Sequence, residues 1–346
     1  MEYEEGKGTV TEGLDKDRDS KRAGDFQERP SCNASFRELT SEFNRFFKSK
    51  NLASTYKPTF LKCLLDIGDY ENDEGSQWVN QKQNQYEVDL NFVAVRFIRY
   101  YWPLKFIFKI KQEATRTPIA VYRILDEFSE LIGKKTRPSK KLLCDDKFAE
   151  IRLKIIREGI KPQVLKRLLN DCNIYSITGG SNSIIIPKEI IDFMKENKDT
   201  LLSALNNTIA LYLEPINLSP NISICLKEIT PRITLSKSIF EKMIKMGNSC
   251  CFYCGKEGKK FAQEHVVPWN FVRDTQNYNI VPACTPCNSS KHDLLPAKKY
   301  LDKLLERNES LEPLPAGYSP EMMKNLYENC RIEYHGMEQE LWDDGI

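Results

Sequence analysis

Long apolar runs are missing from these 346 residues. None approaches the ~20 consecutive apolar residues that cross a bilayer, so a membrane-spanning helix is excluded. The first 30 residues are charged and lack the apolar segment of a secretory signal, which points to a reducing, cytoplasmic compartment. A disulfide frame is missing too. The cysteines number 11, an odd count, and Cys32, Cys63, Cys144, Cys172, Cys225, Cys250 and Cys330 follow no repeating spacing. There is no internal repeat, and histidine is scarce, at three. An excess of one charge is also lacking, since 51 Lys and Arg face 49 Asp and Glu, a formal +2.

The charge that is there is unevenly spread. Residues 95–170 hold 19 Lys or Arg against 8 Asp or Glu, a surplus of +11. Such a surplus can meet an anionic polymer, or it can coat ordinary solvated helix faces. The length suits about two domains with cores of normal size.

The chain reads as α+β, mainly helical in its first part. Residues 1–30, rich in Glu, Asp, Lys and Gly, are expected to form a disordered tail. Ser35 and Glu38 have the spacing of a capping box, opening a helix whose Phe36, Leu39, Phe43, Phe46 and Phe47 follow helical periodicity. Further helices are expected around Phe60–Leu65, Leu90–Tyr101, Ile119–Ile132, Lys147–Arg157 and Pro162–Asn170, with the polar stretch Asp69–Gln85 a loop. Two β-prone runs around Gly179 and Gly180 signal a hairpin. Helices followed by a hairpin match the order of a winged helix, which would set Lys161, Lys166 and Arg167 on DNA phosphates. A helix packed on a hairpin for stability alone is the alternative. Helical patterning resumes after Pro187, and Pro215, Pro220 and Pro231 then interrupt it. The expected division is a helical DNA-recognition or positioning domain at 31–214, a linker at 215–236, a small domain at 237–310 and a C-terminal extension at 311–346.

Residues 251–292 carry the chemistry. Cys251 with Cys254, and Cys284 with Cys287, form two Cys-x-x-Cys pairs. Four thiolates suit tetrahedral Zn²⁺, and four protein ligands leave no open position, so the zinc is structural. Cys250 competes as a ligand, but the spacer from Cys251 to Cys254 and the following Gly255 favour Cys251. Between the pairs, Phe261–Pro268 reads as a short strand with Glu264 and His265 near its end, a carboxylate beside a histidine. Thr285 is placed to cap a helix with Pro286 first and Asn288 in the first turn, where a helix N-terminus attracts phosphate. The plain alternative is a zinc ribbon that only stabilises a fold or grips a partner.

The pattern CxxCG, then acid-His-x-x-Pro, then Asn-Ile-Val-Pro-Ala-Cys-x-x-Cys-Asn-x-x-Lys, over roughly residues 237–300, resembles the HNH nuclease superfamily, whose small ββα-metal domain cleaves nucleic acid. The resemblance implies that His265 is the general base activating water and that Asn279 holds the loop and the histidine in place. It further implies Glu264 and Asn288 as ligands of a catalytic Mg²⁺ or Mn²⁺. The chemistry agrees, because phosphodiester cleavage needs an activated oxygen nucleophile and positive charge beside the leaving oxygen. Lys291, three residues after Asn288 on the same helix face, is a candidate for a substrate phosphate or an ordinary exposed lysine. His292 and Asp293 lie close by as alternative ligands, and Trp269 reads as core. Two positions depart from the family pattern, in which the acid is usually Asp and the last position often His. Neighbours on a regular strand face opposite ways, so Glu264 and His265 share a site only where the strand ends or distorts. Pro268 supplies an ending.

The expectation is a metal-dependent HNH endonuclease acting on DNA, in restriction or anti-phage defence. One module holds one site, so cutting both strands calls for a homodimer, two sequential events or a partner subunit of a defence system. The alternatives are a non-catalytic zinc-containing module that binds nucleic acid or protein, and a homing or RNA-acting nuclease. The joint presence of His265, Asn279 and Asn288 argues against a simple ribbon, which needs none of them.

Overall fold

Ser35 opens the first helix as a capping box: its N–H donates to Glu38 Oε2 (2.6 Å), and the Glu38 N–H donates to Ser35 Oγ (3.4 Å). The computed structural model describes residues 35–48, 52–114, 117–133, 137–179, 182–227 and 233–343. The expected tail at 1–30, Cys32, Gly180 and part of the expected linker lie outside the described residues. Helix α1 (Phe36–Lys48) turns Leu39, Phe43 and Phe46 inward, and α2 (Tyr56–Leu65) is buried along nearly its whole surface.

A hairpin follows, β1 (Val79–Lys82) and β2 (Gln85–Asp89), with β1 inside the stretch Asp69–Gln85 whose polar composition predicts a loop and β2 starting at its end. Asp89 then caps α3 (Leu90–Phe106) by accepting the Asn91 N–H. This helix is apolar nearly all round, and Phe92, Phe97, Ile98, Tyr101 and Trp102 are fully covered, so it forms the centre of the first core. Its one deeply buried charge, Arg96, meets Asp66 (3.3 Å) and Asp73 (3.0 Å).

After α4 (Ala120–Ile132), which ends on a left-handed Gly133, come α5 (Lys140–Cys144) and α6 (Ala149–Lys154). Helix α6 runs without a break into a π-helical stretch, Ile155–Leu165. The helices expected at Lys147–Arg157 and Pro162–Asn170 are therefore one run, and Lys166–Asn170 forms turns. The widened π turns accommodate Pro162, which in a regular helix would break the ladder.

Strands β3 (Ser176–Ile177) and β4 (Ser183–Pro187) pair antiparallel, and β4 also pairs with β2, giving the sheet order β1-β2-β4-β3. The register sets Tyr86 opposite Ile186 and Val88 opposite Ile184, all four buried on one face. The hairpin is thus half of a four-stranded sheet with β4 in its interior. Helices α7 (Lys188–Glu196), α8 (Lys198–Asn217) and α9 (Ile222–Cys225) complete this part. Ile222, Cys225 and Leu226 belong to the first core, which therefore extends past residue 214 into the segment that composition assigns to a linker.

The rest comprises α10 (Lys237–Met246), β5 (Ala262–His265), α11 (Trp269–Val272), β6 (Ile280–Ala283), α12 (Thr285–Lys291), α13 (Lys298–Glu309) and α14 (Pro320–Cys330), which continues as a π turn through Arg331–His335. Met323, Tyr327, Cys330, Tyr334 and Trp342 share one core with Cys251, Val266, Val281 and Leu304. The C-terminal segment is thus built into the same body as the cysteine-rich residues. No helix among the described residues is long and apolar enough to cross a membrane, and the ten described cysteines are free thiols.

Candidate active site

Two turns bring the four cysteines together. Gly255 lies at φ +68, where a β-carbon is disfavoured, and its N–H donates to the Cys251 carbonyl (2.9 Å), reversing the chain around the first pair. Strand β6 delivers Cys284 to the N-cap position of α12, with Cys287 in its first turn. The cap thus falls one residue before the expected Thr285, and Pro286 sits where no N–H is missed. The Sγ atoms of Cys251, Cys254, Cys284 and Cys287 all lie within 4.8 Å of one another, with Cys254 and Cys284 3.8 Å apart. A tetrahedron with Zn–S bonds of about 2.3 Å has edges of about 3.8 Å, so the cluster fits Zn²⁺. Burial raises the Cys251 thiol, but backbone N–H groups of Cys284, Cys254 and Tyr253 outweigh it and bring it down to about 7. Burial and the neighbouring sulfurs raise Cys284 and Cys287, so of these three Cys251 most readily becomes a thiolate. Cys250 points its sulfur at the Asn248 carbonyl (3.4 Å), outside the cluster.

Behind the cluster, β5 and β6 pair antiparallel with Glu264 opposite Val281 and His265 opposite Ile280, and α12 packs against β5. The result is a ββα unit. Strand β5 stops at His265, which is 3% exposed. Asn279 spends both ends of its amide on Val267, accepting the Val267 N–H at Oδ1 (2.9 Å) and donating from Nδ2 to the Val267 carbonyl (2.9 Å). The chain leaving His265 is therefore pinned two residues on. His265 Nε2 lies 3.0 Å from the Asp274 carbonyl oxygen. A carbonyl only accepts, so Nε2 carries the proton and Nδ1 the basic lone pair.

Glu264, His265, Asn288, His292 and Asp293 line one cleft of about 380 Å³, together with Trp269, Asn270 and Ser289. Burial raises the Asp293 carboxyl, yet the Tyr334 hydroxyl (2.9 Å) and the charge of Lys109 hold it below the usual range. Trp269 packs against the first core and also reaches this cleft.

Lys291 departs from its expected role. Its side chain is fully buried, and its ammonium donates to Glu264 Oε1 (2.8 Å) and to the His265 carbonyl (2.8 Å). Burial lowers its proton affinity, while the Glu264 charge acts the other way. An ammonium enclosed in this way does not face a substrate phosphate. Lys166 and Arg167 are exposed in the turns after the π stretch, outside the residues lining the cleft. The sequence offered no sign of the Asp274 carbonyl, the Tyr334 hydroxyl or Lys109, because each reaches the site by tertiary packing.

A ββα unit thus holds a histidine-lined cleft beside a four-cysteine cluster that fits a zinc ion. Residues 251–294 match the HNH endonuclease family, so the chain carries an HNH domain there. No curated protein and no solved structure matches the chain.

Proposed function

We propose that this protein is a metal-dependent endonuclease that hydrolyses phosphodiester bonds in DNA, with His265 as general base. The observation that carries this reading is the Asp274 carbonyl on His265 Nε2, which leaves Nδ1 to accept a proton in a cleft shared with Glu264 and Asn288. His265 Nδ1 takes a proton from a water molecule as the water oxygen attacks phosphorus and the ester oxygen leaves. Asn279 keeps the base in place by clamping Val267. Glu264 and Asn288 offer oxygen donors suited to a hard cation, and Lys291 engages Oε1 of Glu264. A bound Mg²⁺ or Mn²⁺ would supply positive charge at the leaving oxygen. The exposed Lys161, Lys166 and Arg167 of the helical part are proposed to meet the DNA backbone.

The test is plasmid nicking with Mg²⁺ or Mn²⁺, with and without EDTA, alongside single-stranded DNA and RNA. His265→Ala is expected to lose cutting while keeping its zinc and its fold. Full activity in that variant removes His265 as base. A wild-type chain that binds nucleic acid but never cuts it is instead a zinc-containing binding module.

A further inference from the structure

The segment that holds the base is itself held by the other half of the molecule. Between Val267 and Asp274 the chain forms the single turn of α11 and then Arg273, a left-handed residue at φ 53 whose N–H donates to the Trp269 carbonyl (2.7 Å). Arg273 is 2% exposed, and burial lowers its proton affinity while the Cys225 thiol and the Glu214 charge act the other way. Its Nη1 donates to Ser219 Oγ (2.6 Å), the Pro220 carbonyl (3.1 Å) and the Phe271 carbonyl (2.8 Å). Its guanidinium also sits 5.7 Å from the Phe108 ring centre. Ser219, Pro220 and Phe108 all come from the helical part. From the same region Ser219 Oγ donates to the Phe271 carbonyl (2.9 Å), and Asn221 Nδ2 donates to the Val272 carbonyl (3.1 Å). The open carbonyls of α11 are therefore satisfied across the junction. The residue after Arg273 is Asp274, whose carbonyl receives His265 Nε2.

We infer that Arg273 is a positioning residue: by locking residues 269–274 onto Ser219 and Pro220 it holds the Asp274 carbonyl on His265, so that the helical part sets the tautomer and direction of the base. A guanidinium buried with Nε and Nη2 lacking hydrogen-bond partners among the described residues is a poor choice for stability alone. The Nη1 of Arg273 alone gathers Ser219 Oγ and the Pro220 and Phe271 carbonyls onto one buried donor, so the side chain serves to hold this backbone segment in register. The HNH module is then incomplete without the surface of Ser219 and Pro220, and displacement of that surface is transmitted to the base through two residues. The inference rests on His265 as base.

The experiment uses the full chain with Arg273→Lys, Arg273→Met and Ser219→Ala, measuring kcat and KM for DNA cleavage and the ¹⁵N–¹H imidazole spectrum. With three histidines in the chain, the His265 ring is assigned by the signal missing in His265→Ala. Arg273→Lys keeps the charge but, on a shorter side chain, withdraws the Nη1 donor from Ser219 and Pro220. It is expected to lower kcat by about 10- to 100-fold with KM nearly unchanged, the scale of a misplaced catalytic group. The His265 ring should shift from a single Nε2–H tautomer to a mixture. A wild-type kcat in both Arg273 variants overturns the inference, and so does a lowered kcat with an unaltered His265 ring signal. If the Arg273 variants do not fold, Ser219→Ala decides. A several-fold fall in kcat with a second tautomer supports the latch, and an unchanged spectrum and kcat overturn it. A wild-type chain that cuts nothing overturns the proposed function itself, which the ring spectrum separates from failure of the latch.

Discussion

At the scale of residues, Lys291 and Glu264 show how one contact redirects a motif. The pair is buried on both sides, with side-chain exposures of 0% and 7%. Lys291→Met leaves the Glu264 carboxylate enclosed without its partner, and loss of about 3–5 kcal/mol in urea unfolding is expected. Adding Glu264→Gln to that variant should recover part of the loss, since the stranded charge is gone. A cost below about 1 kcal/mol for Lys291→Met would show that the pair holds little. Asp73 gives a second, pH-dependent case. Burial raises its carboxyl, but Lys140, Arg96 and the Gly75 N–H outweigh this and hold it below the ordinary value. The unfolded chain then binds the extra proton first, so the stabilisation is complete above about pH 4 and is lost as pH falls through the depressed folded value. Asp73→Asn should flatten that part of the curve of melting temperature against pH; an unchanged slope would assign acid unfolding to other groups.

At the scale of elements, the four-cysteine cluster joins the Gly255 turn, the end of β6 and the start of α12. Because Asn288 directly follows Cys287, the same four sulfurs fix the turn of helix that presents it to the cleft. One zinc per chain is expected by elemental analysis. Cys284→Ser or a strong chelator should release it and expose the amides of β5, β6 and α12 to hydrogen exchange. Full zinc content in Cys284→Ser would remove that sulfur from the ligand set. Elements differed in how far the sequence disclosed them. The start of α1 was legible because Ser35 and Glu38 satisfy each other within one turn. The β1–β2 hairpin was not, because Asn80, Gln81 and Lys82 look like loop residues until they pair with β2, which in turn pairs with β4. The continuity of α6 through Pro162 was hidden for a related reason: a proline reads as a break unless packing permits π turns.

At the scale of the whole molecule, the basic surplus of residues 95–170 is partly consumed inside the fold. Arg96 and Arg152 are buried, and Lys105, Lys111, Lys140 and Lys154 face carboxylates. Lys161, Lys166 and Arg167 remain exposed. If all three meet DNA phosphates, changing them together to Ala should reduce the slope of log affinity against log salt by about 2.7. An unchanged slope would take them off the DNA path. The amino-acid sequence by itself determined the tetrathiolate set and the HNH motif, because metal-ligand spacing and turn chemistry act over a few residues. Only the tertiary structure decided what surrounds His265. It closed Lys291 onto Glu264, set the Asp274 carbonyl on His265 and brought Ser219 and Pro220 to Arg273. Those contacts join residues 9 to 54 positions apart, and their energy comes from burial, which no local spacing records.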